Sequence, residues 1–169
     1  DIDPVSYKNI HENNVKRTMR ALKFYHLTGT PISEHNEAEK KKESPYNSAY
    51  FVLTKERSML YRDIDRRVDI MLGKGLVDEV KGLAEAGCTP GMVSMQAIGY
   101  KEVFSYLDGS STLEETTELI KKNTRHYAKR QLTWFRAVDD AIWIYKDRFE
   151  SDDEIIAYMK KELEDRGII

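Results

Sequence analysis

Two short runs of β-forming residues, "NSAYFVLT" and "AIWIY", stand far apart in a chain otherwise patterned for helices. The first predicts a buried strand from about Ala49 to Leu53, the second a buried strand from Ala141 to Tyr145. Two strands are too few to make a stable sheet alone. Either they pair with each other beneath the helices, or chain preceding Asp1 supplies further strands. The opening "DIDPVSYKNI", with no methionine, reads as the middle of a longer or processed chain.

Helical signals fill the rest. Asn13 or Asn14 caps a helix over Val15 to Thr28, which Gly29 ends and Pro31 prevents from resuming. At about 100° per residue, Val15, Met19, Leu22 and His26 share one stripe and Lys16, Arg17, Arg20 and Lys23 another, so the first stripe is expected in the core. "SEHNEAEKKKESP", Ser33 to Pro45, is charged and without period, and is expected to be an exposed linker. Thr54 is expected to cap a helix carrying Leu60, Ile64, Val68, Met71 and Leu72 up to Gly73 and Gly75, with a second piece from Leu76 to Ala86. "TPGMVSMQAIGYKEVFSYLDG" begins as a Pro/Gly loop and turns helical near Gly99. Thr112 with Glu115 forms a capping box for a long helix from Leu113 to about Arg136, and Ser151 with Glu154 forms another for the last helix. The fold class is therefore mostly α with two short strands.

Composition narrows the function classes. With 40% hydrophobic residues in 169 the chain can bury a core, and a net charge of −2 excludes a generic polycation that coats nucleic acid. Cys88 is the single cysteine, which rules out an intramolecular disulfide and a multi-cysteine zinc site and favours a reducing compartment. No apolar run approaches the roughly 18 to 20 residues of a membrane span and no leader pattern is visible, so a cytosolic protein without membrane association is expected. His11, His26, His35 and His126 show no ligand spacing, so no metal site is expected in this chain. The phosphate-loop pattern G-x-x-x-x-G-K-[ST] and the nucleophile elbow are absent from the sequence.

Local charge is more informative. On the long helix Lys122, Arg125, Lys129 and Arg136 fall within about 60° of one another, and no Asp or Glu occurs from Lys121 to Arg136. Ile120, Tyr127, Ala128, Trp134 and Phe135 lie opposite, with Gln131, and the aromatics are expected to anchor the helix in the core. The first helix repeats the acid-free pattern from Val15 to Ile32. Solvated faces and anion-binding faces both fit either helix alone; together they suggest a split basic groove for nucleic acid. Arg57 follows the first strand in the first turn of a helix, where α/β sheets hold phosphate-bearing ligands, and there it opposes the helix dipole. An ordinary exposed arginine fits that position as well.

The segments "IHENNVKRTMRALKFYHLTGTPIS", "MQAIGYKEVFSYLDG" and "YAKRQLTWFR", in this order, resemble the C-terminal half of the bacterial tRNA dimethylallyltransferase (isopentenyltransferase) family, over about Asp3 to Tyr145. The resemblance implies transfer of a dimethylallyl group from dimethylallyl diphosphate to the exocyclic amine of the adenosine 3′ of the anticodon, with Mg²⁺ held by ligands outside this chain. It implies a P-loop-type α/β core, residues 46–169 being its C-terminal part with the two strands in a larger parallel sheet. Residues 1–45 would end a helical insertion domain. Lys16, Arg17 and Arg20 would contact the tRNA anticodon stem-loop, as would Gln96, Ala97, Ile98, Gly99, Tyr100 and Lys101. So would Arg125, Lys129, Arg130, Gln131, Thr133 and Arg136. Arg57 would steady the diphosphate. Asn14 stands where the family often has Asp, a change to a cap. The phosphate loop, the aspartate base and the channel threonine of the family have no counterpart here, so the isolated chain is expected to be inactive and the full-length protein a monomer. A non-catalytic helical RNA-binding module is the alternative.

Overall fold

In the computed structural model, which describes residues 2–42 and 44–169, the chain divides into two units between Asn47 and Ser48. The first holds α1 (Pro4–Asn9), α2 (Val15–Thr28) and α3 (Ile32–Lys40). Asn14 caps α2 by accepting the Arg17 amide at 3.2 Å, and Gly29 closes it at φ 72°, a left-handed conformation that glycine adopts without strain. The expected linker is in large part the helix α3. Its start is fixed from a distance: the Asp3 carboxylate caps α1 through the Ser6 amide (2.8 Å) and also accepts from the Ser33 amide (3.1 Å) and hydroxyl (2.7 Å). A Glu37–Lys41 pair at 3.0 Å supports the exposed face.

The expected core stripe of α2 is not core. Val15, Met19 and Leu22 are 65%, 59% and 45% exposed, whereas Ala21, Phe24 and Tyr25 are half-buried, with the Phe24 ring 4.9 Å from that of His35 on α3. Helix α2 thus turns its aromatic side to its neighbours and leaves its aliphatic stripe outside.

The second unit runs β1 (Phe51–Thr54), α4 (Arg57–Gly73), α5 (Leu76–Glu85), a 3-10 turn Val93–Gln96, α6 (Tyr100–Leu107), α7 (Leu113–Phe135), β2 (Ile142–Tyr145), a 3-10 turn Lys146–Arg148 and α8 (Asp152–Asp165). The strands pair with each other, parallel, Phe51 opposite Ile142 through Thr54 opposite Tyr145. Val68, Leu76, Val80, Val103 and Ile120 form one core cluster contributed by α4, α5, α6 and α7. Full burial of an aliphatic side chain such as Ile120 contributes roughly 1.5 to 3 kcal/mol.

Capping explains the helix boundaries and corrects two expectations. Thr54 is a buried strand residue, and α4 is capped by Glu56, whose carboxylate accepts from the Ser58 (2.8 Å) and Met59 (3.4 Å) amides. The strand includes Thr54, and Lys55 and Glu56 intervene before the helix begins at Arg57. The Thr112–Glu115 box is closed in both directions, at 3.2 and 2.8 Å. At α8 only half of the expected box forms: Ser151 accepts the Glu154 amide, but the Glu154 carboxylate takes the Glu150 amide instead. Among the described residues, no helix is long and apolar enough to cross a membrane.

Candidate functional site

Because β1 and β2 are parallel, their carboxyl ends, Thr54 and Tyr145, open on the same side. Successive strand residues alternate faces, so Thr54, Trp143 and Tyr145 share one face. Against it lie Lys129, Leu132, Thr133 and Arg136 of α7, and Arg57 at the first position of α4 closes the end. Together they line a cavity of about 480 Å³. Arg57 is oriented within its helix: Nε donates to the Tyr61 hydroxyl at 3.1 Å and the guanidinium carbon lies 5.3 Å from the Tyr61 ring centre.

Three of the cations in this cavity lack an ion-pair partner. Among the described residues, no carboxylate lies within ion-pairing distance of Arg57, Lys129 or Arg136. Lys55 is already paired with Asp63 at 2.5 Å. Glu56 also lines the cavity, and the Ser58 hydroxyl with nearby amides holds its carboxyl below the ordinary value, so it stays ionised. Its charge faces the α4 amides and occupies the positive end of that helix.

A second groove, of about 740 Å³, lies on another side of α7. Gln96, Ala97, Ile98 and Lys101 meet Arg130 and Gln131 there. The Gln96 side-chain amide donates to the Pro90 carbonyl. Gly99 is buried at φ 103° and gives its amide to the Glu102 carboxylate at 2.7 Å. Tyr100 is half-buried, with its hydroxyl donating to Glu79, which pushes its pKa up. Glu102, only 2% exposed, also accepts from Asn123 Nδ2 at 2.7 Å. This carboxylate joins the turn to α7, and neither Glu102 nor Asn123 stood out in the sequence, because their pairing spans 21 positions.

The basic stripe of α7 is divided by α4. Arg125 is half-buried against Asp65, and Lys121 pairs with Asp69 at 2.8 Å. Lys121 and Arg125 of the acid-free run are thus neutralised in space, whereas no carboxylate among the described residues pairs with Lys122, Lys129, Arg130 or Arg136. The aromatics correct another expectation: Trp134 is 63% and Tyr127 49% exposed, and only Phe135 is half-buried, 6.3 Å from Tyr50. With 23 residues α7 extends about 35 Å, against about 12 Å for the eight-residue α6 packed on it. The face that buries Ile120 is therefore uncovered at Tyr127 and Trp134. Arg130 lies 5.9 Å from the Tyr127 ring centre.

In the first unit Lys16, Arg17 and Arg20 are exposed, and no carboxylate among the described residues pairs with them. Arg17 and Arg20 line a groove with Asn36 and Lys40. Among the described residues no group of three or more His, Cys, Asp or Glu could hold a metal ion.

Comparison with known proteins follows the same lines. A family model described as IPP transferase matches residues 1–138. The tRNA dimethylallyltransferase of Lachnoclostridium phytofermentans is 53% identical over 167 residues, covering 99% of this chain and 53% of that protein. That of Acetivibrio thermocellus is 46% identical over 168 residues, covering 99% and 54%. The full-length tRNA isopentenylpyrophosphate transferase from Bacillus halodurans superposes with a TM-score of 0.69 at 42% identity, over 98% of this chain and 51% of that one. The tRNA delta(2)-isopentenylpyrophosphate transferase of Staphylococcus epidermidis gives 0.64 at 39%, over 95% and 53%. The chain spans about half the length of these relatives. With a family model matched over most of its residues, the chain belongs to the IPP transferase family.

Proposed function

We propose that this chain is the C-terminal, substrate-holding portion of a cytoplasmic, monomeric tRNA dimethylallyltransferase that modifies the adenosine 3′ of the anticodon. In the reaction the exocyclic nitrogen attacks C1 of dimethylallyl diphosphate, the C1–O bond breaks, and diphosphate leaves with the bonding electrons. The nitrogen then loses a proton to a base outside this chain. A fixed cation beside the departing oxygen stabilises the charge that grows there. Arg57, held by Tyr61 at the mouth of a cavity with surplus positive charge, suits that role, and this observation carries the reading. Lys16, Arg17 and Arg20 on α2, with the Gln96–Lys101 segment and Arg130 and Gln131, form the tRNA-facing surfaces. The phosphate-binding loop of a P-loop-type core, the base and the Mg²⁺ ligands belong to the part of the relatives outside this chain. On this reading the chain alone does not transfer prenyl groups.

The test is incorporation of labelled dimethylallyl groups into tRNA by the complete protein. Arg57→Gln is expected to lower kcat about 100-fold or more, the scale of losing one preorganised charge-stabilising donor. Absence of transfer by the unmodified complete protein refutes the enzyme. The exposed Trp134 and Tyr127 beside Lys129 and Arg130 also suit a non-catalytic RNA-binding module. That module would bind RNA with a steep salt dependence and show no transfer.

A further inference from the structure

We propose that Glu102 and Asn123 are positioning residues for RNA recognition: the bond between them holds the Gln96–Lys101 segment in register with α7, so that segment and helix present one fixed surface. The inference rests on the reading that these elements face tRNA, and it gives a role to a buried carboxylate that the transfer steps leave unused. Three observations carry it.

The first is how the segment is held. Gln96, Ala97 and Lys101 are exposed, while Met95 before them is buried and Ile98 packs on the core cluster. Apolar packing sets the depth of the segment but not its orientation, because it is non-directional. Hydrogen bonds supply direction. The Gln96 side chain bonds to Pro90, and the Tyr100 hydroxyl to Glu79 on α5. Among the described residues, the bond that ties residues 96–102 to α7 is that of Asn123 Nδ2 to Glu102, at 2.7 Å. The other oxygen of Glu102 takes the Gly99 amide at 2.7 Å, so one side chain fixes the segment both to its own helix and to the neighbouring one.

The second is where the bond lands. Positions 123, 127, 130 and 134 are spaced 4, 3 and 4 apart and lie within about 60° of one another on α7. Asn123 therefore stands on the stripe that carries the exposed Tyr127, Arg130 and Trp134, about 10 Å below Arg130 along the axis. Gln96 and Lys101 share a groove with Arg130 and Gln131. A link at position 123 sets the register between the two sides of that groove.

The third is the chemistry of position 102. It lies beside Val103 of the core cluster and is 2% exposed, and a carboxylate there costs desolvation that an apolar side chain would avoid. Bonds to both oxygens offset that cost. Lys101 Nζ lies 3.5 Å from the oxygen that Asn123 also contacts, so a cation of the segment shares the anchor.

The test is steady-state transfer of labelled dimethylallyl groups to tRNA by the complete protein, each variant being assayed where circular dichroism shows it folded. Asn123→Leu, of similar volume but without a donor, is expected to raise KM for tRNA about 5-fold or more, because a loosened segment must be ordered on binding. The kcat and the KM for dimethylallyl diphosphate are expected to stay within about 2-fold, a split that general destabilisation does not produce. Combining Glu102→Gln with Asn123→Asp reverses the bond at constant net charge: the new amide donates to the new carboxylate while its oxygen still accepts from Gly99. This pair is expected to keep KM for tRNA within about 2-fold of the parent. Thr112→Ala weakens α7 at its cap, away from the anchor, and is expected to leave KM for tRNA unchanged. An unchanged KM for tRNA in Asn123→Leu overturns the inference, as does an equal effect on kcat or on the diphosphate substrate. A reversed pair that behaves like Asn123→Leu, or a Thr112→Ala variant that raises KM for tRNA as much, overturns it too. All four outcomes leave the family reaction standing. A complete protein that transfers nothing refutes that reading, and this inference with it.

Discussion

Replacing Glu102 by alanine removes the one carboxylate that holds the turn before α6 to α7. Its oxygens accept from the Gly99 amide and from Asn123 Nδ2, both at 2.7 Å, in a site 2% exposed. Deletion leaves both donors without a partner, at about 1 to 3 kcal/mol for each buried group that water does not reach. Gly99 must also hold φ 103° without the bond that rewards it. Allowing for partial hydration, the expected loss is about 2 to 4 kcal/mol. The ion pair with Lys101, at 3.5 Å, adds little because that lysine is 42% exposed. Glu102→Gln provides the contrast. Its oxygen still accepts from Gly99, and its amide can donate to Asn123 once the Asn123 amide turns over, so the expected cost is below about 1 kcal/mol. Urea unfolding followed by far-ultraviolet circular dichroism measures both. With a slope of roughly 2 kcal/mol/M, the alanine variant shifts the midpoint down by about 1 to 2 M. An alanine variant within about 0.5 kcal/mol of the parent, or a glutamine variant as unstable as alanine, contradicts the account of a doubly bonded buried carboxylate.

Arg125→Ala is expected to act on stability rather than on RNA. It breaks the half-buried pair with Asp65 and should lower unfolding free energy by about 1 to 2 kcal/mol, with binding of an anticodon stem-loop within about 2-fold at fixed salt; a stable variant with strongly weakened RNA binding contradicts the division of the basic stripe. Acid should loosen the first unit through Asp3: its partial desolvation works the other way, but the bonds from Ser6 and Ser33 hold its carboxyl well below the ordinary carboxylate range. A depressed folded pKa means that its stabilisation is complete above the unfolded value of about 4 and is lost as pH falls through the folded one. Ser33 amide exchange should accordingly stay slow from pH 7 to about 4 and accelerate on further acidification, and Asp3→Asn should abolish that step.

Features governed by neighbouring residues were legible in the sequence. The start of α7 follows from Thr112 and Glu115 and its continuity from a run without Gly or Pro, and the place of Arg57 follows from a strand leading into a helix. Periodicity marked the cationic stripe but not the carboxylates facing it, because Asp65 lies 60 residues from Arg125. It marked an aliphatic stripe on α2 but could not show that Ala21, Phe24 and Tyr25 would face the neighbouring helices. The start of α3 depends on Asp3, 30 residues away. Trp134 illustrates the same limit: its spacing puts it in line with Ile120, yet it lies beyond the part of α7 that α6 covers and is left outside.

The parallel pairing of β1 with β2 also bears on the order in which the molecule assembles. Helix α5 packs on α4 and α6, and α6 on α7, between successive helices, and α4 meets α7 across 60 positions at Arg125 and Asp65, whereas a bond across the strand ends, Glu56 to Asp147, closes a loop of 91 positions. The longer loop costs somewhat more chain entropy to close before any strand contact offsets it, so the sheet is expected to pair after the helices pack. The cavity of Arg57, Lys129 and Arg136 is built on the ends of that sheet. It is therefore expected to form late and to be lost as soon as the strands separate, even while the helical core is still intact.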